Sequence, residues 1–263
     1  MSGVRTGCAV VALVALVATG CSASSTGTTA ATSAASVTSQ ARTWSVVALG
    51  DSVPYGTNCD CTPYPPLTAG GLTATTGQTV TAVNDSVPGY TSSNVLHQLD
   101  SDTAVIDHVR GADVVEIEIG ANDVAYSQSC GAAADCYAPK IPTLEANLDA
   151  IVARVLALTS GHEVLVVLLD YWSVWLGGQY AAAQGDAYVS AATQVTDDVN
   201  TAIKSTAAAA GSAYVDLRAA FKGPDYAYDE THYLSNDGDH PNAAGHEQIA
   251  KATEAVIESA LHL

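Results

Sequence analysis

Four short segments, far apart in the chain, carry the groups that an acyl-transfer site needs. They are Gly50-Asp51-Ser52, Gly89, Gly120-Ala-Asn-Asp123 and Asp237-Gly-Asp-His240. Ser52 offers a hydroxyl nucleophile, and the imidazole of His240 is a base that can take its proton. Gly89 and Asn122 offer N–H donors for a developing oxyanion. Together these groups are suited to splitting an ester through an acyl-enzyme.

The hydrophobic pattern predicts the elements that must position these segments. Short apolar runs indicate strands at residues 44–49, 79–83, 113–119, 163–169 and 213–216. Helices are predicted over residues 93–110, 142–159, 186–209 and 243–262. This alternation predicts an α/β fold, a three-layer α/β/α sandwich around a mostly parallel five-stranded sheet.

The four segments are predicted to meet at one edge of this sheet. Ligands of such sheets bind beyond the carboxyl ends of the strands. Ser52 follows the first predicted strand, Gly89 the second, Asn122 the third and His240 the fifth. We therefore expect one site to contain all four groups.

The segments resemble the four signature blocks of the SGNH hydrolases, also called GDSL esterases and lipases. The second block extends over Asn84-Asp-Ser-Val-Pro-Gly-Tyr-Thr91, and the fourth over Asp237-Gly-Asp-His-Pro-Asn242. The blocks occur in the expected order, and the resemblance spans about Trp44 to His262. It implies a flavodoxin-like fold and esterase activity, here in a secreted bacterial lipoprotein.

The resemblance assigns Ser52 as nucleophile, His240 as general base and Asp237 as the acid that orients the imidazole. Asp239 also flanks His240. A directly preceding residue usually points its side chain away from its neighbour, so Asp237 is the favoured acid. The backbone amides of Ser52 and Gly89 and the side-chain amide of Asn122 are expected to form the oxyanion hole.

Two neighbours of the blocks are expected to have supporting roles. Asp51 is expected to support the turn before Ser52, and Asp123 is expected to be structural. Many relatives have Leu directly after Gly-Asp-Ser, whereas this chain continues with Val53 and Pro54. We expect Pro54 to lie early in a helix, where a missing N–H costs little. The chain lacks a Gly-x-Ser-x-Gly elbow, which disfavours the ordinary α/β-hydrolase arrangement.

The amino terminus predicts export. Arg5 precedes an apolar stretch from Ala9 to Val17, which is typical of a secretory signal. The small residues before Cys21 resemble a bacterial lipobox, which implies cleavage there and a lipid on the Cys21 sulfur. Residues 22–41 are almost entirely Ser, Thr, Ala and Gly and cannot bury a core.

We therefore predict a signal peptide at residues 1–20, a lipidated Cys and tether at 21–42, and a catalytic domain at 43–263. The protein is expected at the cell surface, anchored by the Cys21 lipid, with plain secretion as the alternative. Partitioning of the mature protein into detergent tests this expectation.

Cysteine usage predicts disulfides in the exported domain. The chain has six cysteines, of which Cys8 leaves with the signal. The four that remain after Cys21 form an even set, which is typical of disulfide pairing outside the cytoplasm. They allow three pairings. We favour Cys130 with Cys136, which closes a small loop after Asn122 and leaves Cys59 with Cys61.

The net charge of the chain restricts the classes of substrate and partner that we expect it to bind. The formal net charge is −18, and loss of residues 1–20 removes only Arg5, giving −18 − 1 = −19. A field of this sign repels nucleic acid and other polyanions, so a neutral ester, small, lipid or glycan, is the expected substrate. No metal or cofactor is expected, since the chain has no His-Glu-x-x-His or paired Cys-x-x-Cys motif. We expect a monomer that contacts a membrane only through its lipid anchor.

Three functions are compatible with the residues. The favoured one is a serine esterase or lipase, the second is a polysaccharide O-deacetylase with the same triad, and the third is a non-catalytic surface lipoprotein that binds a ligand. The third requires a missing site residue, and none is missing. Glu116 and Glu118 alternate with apolar residues on the third strand, which is unusual for a strand buried on both faces. Candidates to line the cleft are Tyr55, Tyr90, Tyr126, Tyr171, Trp172 and Trp175.

Overall fold

The computed structural model describes residues 43–263. The predicted signal peptide at 1–20, the tether at 21–42 and the lipidation site at Cys21 lie outside the described residues. Within the described part, none of the helices is both long enough and apolar enough to cross a membrane.

Five parallel strands form one central sheet, which confirms the predicted fold class. The strands are β1 (Trp44–Gly50), β2 (Val80–Asn84), β3 (Val114–Glu118), β4 (Leu165–Leu169) and β5 (Ala213–Val215). Their order is β2-β1-β3-β4-β5, and every neighbouring pair is parallel. This is the flavodoxin-like order, in which the crevice for ligands opens between β1 and β3.

Helices cover the sheet on both sides. In chain order they are α1 (Ser52–Tyr55), α2 (Tyr64–Thr76), α3 (Ser92–Ser101), α4 (Thr103–Arg110), α5 (Ile141–Leu158), α6 (Gly178–Ala182), α7 (Asp186–Ala210), α8 (Leu217–Lys222) and α9 (Ala243–Leu261). Helices α2 and α9 pack against each other, and α5 packs against both α3 and α7. The sheet core is fully enclosed, since Val46, Val47 and Leu49 of β1 are completely buried.

The helices differ from the prediction at residues 93–110 and at α2, α6 and α8, which were not predicted. The stretch predicted as one helix over residues 93–110 is two helices, separated at Asp102. The Asp102 carboxylate accepts hydrogen bonds from the N–H groups of Ala104 and Val105 at 2.9 and 3.4 Å, so it starts a new helix as an N-cap. Helix α2 was not predicted. It has Pro in its first turn, where the N–H is not needed.

Glu116 and Glu118 both lie on β3 and are fully buried. They are two residues apart, so both side chains lie on the same face of the strand. The charge of Glu254 on α9 contributes to the pKa of Glu116, and Tyr64 on α2 contributes to the pKa of Glu118. Burial is the main cause that raises the pKa of both carboxyls well above the usual value. Burial therefore favours the neutral acid form of both side chains, which is the form that a doubly covered strand accommodates at lower cost.

The burial of Glu116 predicts that Glu116→Gln changes thermal stability by an amount that depends on pH. A carboxyl whose folded-state pKa lies above its usual value of 4.5 destabilises the fold increasingly as the pH rises above that value. The neutral amide removes this dependence, so we expect the Tm of the variant to rise relative to wild type as the pH rises above about 4.5. Thermal unfolding across this pH series measures the effect. A Tm difference that does not change with pH contradicts it.

Candidate active site

Ser52 lies directly after β1, as the first residue of α1. Asp51 caps this helix: its Oδ1 accepts a hydrogen bond from the Val53 N–H at 3.1 Å, and its Oδ2 accepts one from the Tyr171 hydroxyl at 2.9 Å. Burial raises the pKa of Asp51 to about 6. Asp51 therefore supports the turn that presents Ser52, as predicted. Pro54 lies within this short helix, also as predicted.

The structure brings Ser52, His240 and Asp237 into one hydrogen-bonded chain. The Ser52 Oγ lies 2.9 Å from His240 Nε2, and His240 Nδ1 lies 2.7 Å from Asp237 Oδ2. The imidazole thus pairs with Asp237. In the part of the chain that the structure describes, the Asp239 carboxylate makes no hydrogen bond to this ring.

A tight turn explains why a three-residue spacing serves the Asp–His pair. Asp237 Oδ1 accepts hydrogen bonds from the backbone N–H groups of Asp239 and His240, at 3.0 and 3.1 Å. The Ser235 N–H donates to the His240 carbonyl at 2.8 Å and closes the turn. One carboxylate therefore closes its own turn with one oxygen and contacts the imidazole with the other.

Asp237 also receives a hydrogen bond from a residue that the sequence did not single out. The Asn58 side-chain amide donates to Asp237 Oδ2 at 2.6 Å. Burial by itself raises the pKa of Asp237, but the hydrogen bonds from Asn58, Asp239 and His240 outweigh it and lower the pKa to about 2. The side chain is therefore a carboxylate at neutral pH.

Asn122 lies in a single helical turn after β3, at residues 121–124. Its Nδ2 donates a hydrogen bond to the Tyr90 carbonyl at 2.9 Å, which joins it to the loop that carries Gly89. Gly89 has a φ of 80°, and no atom lies within 4 Å of the position that a Cβ would occupy. Glycine is therefore favoured here by the backbone conformation and not by a lack of space. Asp123 is structural, as predicted: it accepts hydrogen bonds from the Ser92 N–H and hydroxyl at 2.9 and 2.6 Å.

Ser52, Asn122, Asp239 and His240 line a cleft of about 310 Å³. Burial raises the pKa of Asp239 to about 6. The cleft is also lined by five aromatic side chains, those of Tyr126, Tyr171, Trp172, Trp175 and Tyr188. Among the aromatic candidates from the sequence, Tyr55 and Tyr90 do not line the cleft. Tyr188 was missed because it lies on α7, far along the chain from every block.

The ring of Tyr126 stands at the mouth of the cleft. It is 45% exposed and packs edge-on against Trp175, with the ring centroids 5.1 Å apart. Tyr188 contacts both rings, at centroid distances of 5.3 and 5.5 Å. The entrance to the cleft is therefore a packed aromatic cluster.

Two disulfides lie in the loops around the site. Cys130 is bonded to Cys136, the pairing favoured from the sequence, and Cys59 is bonded to Cys61. The first closes the loop after Asn122, and the second lies between α1 and α2, directly after Asn58.

His246 and His232 lie outside the hydrogen-bonded chain of Ser52, His240 and Asp237. His246 is buried in the first turn of α9, where its Nδ1 accepts a hydrogen bond from the Tyr64 N–H at 3.3 Å. Burial lowers its pKa to about 4. His232 is exposed, and its ring lies tilted against the neighbouring Tyr233, with the ring centroids 3.8 Å apart, and does not line the cleft.

A parallel sheet that carries these four blocks at one edge defines an SGNH-type hydrolase. Residues 48–248 match the GDSL-like Lipase/Acylhydrolase family, and the chain belongs to this family. The protein is thus a carboxylic ester hydrolase. No curated protein matches the sequence.

Solved structures share the fold at low sequence identity. A lipase from a goat rumen metagenome has 19% identity and a TM-score of 0.66, with 81% of this chain and 97% of that chain covered. An acetylxylan esterase from Geobacillus stearothermophilus has 22% identity and a TM-score of 0.58, with 81% and 94% covered. A lipase/acylhydrolase from Enterococcus faecalis has 19% identity and a TM-score of 0.58, with 82% and 96% covered.

Proposed function

We propose that the protein hydrolyses neutral carboxylic esters through a covalent acyl-Ser52 intermediate. The observation that carries this proposal is the unbroken chain of hydrogen bonds from the Ser52 hydroxyl through His240 to Asp237 at the wall of the cleft. Each link has a separate task in acyl transfer.

The first half of the reaction forms the acyl-enzyme. Ser52 Oγ attacks the ester carbonyl carbon while its proton moves to His240 Nε2. The Asp237 carboxylate accepts the hydrogen bond from Nδ1–H and stabilises the imidazolium. The carbon–oxygen bond to the alcohol then breaks, and the alcohol leaves with the proton from His240.

The second half returns the free enzyme. Water loses a proton to His240 Nε2 and attacks the acyl carbon, and the acid leaves as Ser52 regains its proton. Both tetrahedral intermediates carry a negative oxygen, which the N–H groups of Ser52, Gly89 and Asn122 stabilise. The Asn122 amide has two hydrogens. One is donated to the Tyr90 carbonyl, so the other is available to the oxyanion.

A second candidate substrate is an O-acetylated polysaccharide. The exposed ring of Tyr126 at the mouth of the cleft favours it, since an aromatic ring offers an apolar face to a sugar. The acetylxylan esterase with the same fold makes this substrate class worth testing. The chemistry at Ser52 is the same for both substrates, so the two candidates differ only in what the cleft mouth binds.

Hydrolysis of p-nitrophenyl esters of increasing chain length tests the proposed reaction. The small cleft predicts the highest kcat/KM for short acyl chains. Acetate release from acetylated xylan, measured in parallel, separates deacetylation of glycans from general esterase action. If the wild-type protein hydrolyses none of these esters, the proposal is wrong.

Asn122→Ala is expected to lower kcat by about 100-fold to 1000-fold, because it deletes one oxyanion donor. The variant also loses the bond to the Tyr90 carbonyl, so folding is checked by circular dichroism. Asn147→Ala is a matched control: its amide donates to the Ser92 hydroxyl at 2.9 Å, and it does not line the cleft. We expect near wild-type kcat for the control. If Asn122→Ala and Asn147→Ala have the same kcat, Asn122 does not belong to the oxyanion hole.

A further inference from the structure

Asn58 contacts the catalytic acid from a distant part of the chain. It lies between α1 and α2, and its amide reaches Asp237 across 179 residues of sequence. Its Nδ2 donates to Asp237 Oδ2, the oxygen that also contacts His240 Nδ1. We propose that Asn58 is a positioning residue, whose amide fixes the Asp237 carboxylate in the orientation that holds the imidazole. This inference rests on the proposed function.

The carboxylate of Asp237 is held at both oxygens. Oδ1 accepts the two backbone N–H groups of the turn, and Oδ2 accepts from Asn58 and from His240. Without the Asn58 amide, the imidazole is the only partner of Oδ2 among the described residues. The backbone N–H groups then hold the carboxylate only at Oδ1, and Oδ2 can shift with the ring instead of fixing it. We therefore expect the loss of Asn58 to slow the steps in which the imidazole must be aligned.

The backbone of Asn58 is joined to the same turn. The Ser235 hydroxyl donates to the Asn58 carbonyl at 3.0 Å and also lies 3.2 Å from the Pro241 carbonyl. Ser235 and Pro241 flank the turn that carries Asp237 and His240. The loop of Asn58 and the catalytic turn are therefore connected through both main chain and side chain.

The conformation of Asn58 suits this role. Its φ is 59°, a left-handed conformation that Asn tolerates better than most residues. The next residue is Cys59, and its disulfide to Cys61 encloses only Asp60, which also has a positive φ, of 49°. The disulfide thus restrains the backbone directly after Asn58, and we include it in the proposal as the support of the Asn58 conformation.

Asn58→Gly isolates the amide, because glycine adopts the same positive φ without strain. We expect kcat to fall by about 10-fold to 100-fold, the range for losing a hydrogen bond to a charged group, with KM within about twofold of wild type. KM is retained because Asn58 does not line the cleft. Asn58→Asp keeps the shape and the left-handed preference but replaces the donor with a second carboxylate, so its kcat should fall further.

Asp60→Gly is the matched control for these variants. Asp60 belongs to the same loop, has a positive φ and is exposed, and its side chain makes no hydrogen bond or ion pair among residues 43–263. We expect its kcat to equal that of wild type. An unchanged kcat in folded Asn58→Gly, or an equal loss in Asp60→Gly, overturns the proposal.

A double-mutant cycle separates positioning from general support of the fold. If Asn58 acts through Asp237, Asn58→Gly should have no further effect on kcat in an Asp237→Ala background. A full additional loss in that background means that the amide acts elsewhere, and the proposal is wrong. A p-nitrophenyl acetate assay supplies the sensitivity needed, and Tm values confirm that each variant is folded.

The role of the disulfide has its own variant. We expect Cys59→Ala/Cys61→Ala to lower kcat in the same direction as Asn58→Gly and to add little when combined with it. Wild-type kcat in the cysteine variant removes the disulfide from the proposal. The proposed function is tested separately: it fails if wild type is inactive on esters or if Ser52→Ala is active. The Asn58 inference fails alone when these two controls behave as expected and Asn58→Gly does not.

Discussion

Ser52→Ala is expected to lower kcat by at least about 10⁵-fold on a short-chain p-nitrophenyl ester. In the proposed mechanism the Ser52 hydroxyl oxygen carries the acyl group, and alanine has nothing to replace it. The fold should be retained, because the cap of α1 comes from the Asp51 carboxylate and not from Ser52. Steady-state kinetics and circular dichroism measure the two effects.

Covalent labelling makes this prediction independent of turnover. A phosphonate ester that reacts with activated serines should add its mass to the peptide containing Ser52 in wild type and leave Ser52→Ala unlabelled. Ser190→Ala is a control on the exposed side of α7 and should react and turn over like wild type. Near-normal turnover in folded Ser52→Ala would rule out the acyl-enzyme mechanism.

Asp237→Asn is expected to lower kcat by about 10³-fold to 10⁴-fold. Two effects combine in this loss. The neutral amide no longer stabilises the imidazolium, and its NH₂ group can face Nδ1 and favour the wrong tautomer of His240. The depressed pKa of Asp237, about 2, implies that wild type keeps this carboxylate charged at any ordinary assay pH.

Asp239→Asn is the matched comparison for this variant. Asp239 lines the cleft beside His240, but the imidazole contacts Asp237 at 2.7 Å. We therefore expect the kcat of Asp239→Asn to exceed that of Asp237→Asn by at least about tenfold, because it changes the cleft charge without changing the tautomer. A larger loss in the Asp239 variant would transfer the role of the acid to Asp239.

The sequence by itself determined the fold class and the chemistry at the edge of the sheet. Both follow from local patterns: apolar runs mark buried strands, Gly-Asp-Ser follows the first of these strands, and Asp-x-x-His lies shortly before the last helix. The sequence also favoured Asp237 over Asp239, because the side chain of a directly preceding residue usually points away from its neighbour. The helix break at Asp102 was missed, since its apolar spacing continues across the cap.

The tertiary structure decided which distant residues lie beside the proposed site. The contact of Asn58 with Asp237 joins loops 179 residues apart, and Tyr188 reaches the cleft from α7. Neither position has a local pattern that distinguishes it from an ordinary loop or helix residue. The environment of Glu116 likewise depends on which helices cover β3. These features arise because packing of the helices on the sheet sets the distances between loops, and that packing is not encoded in the period of any single segment.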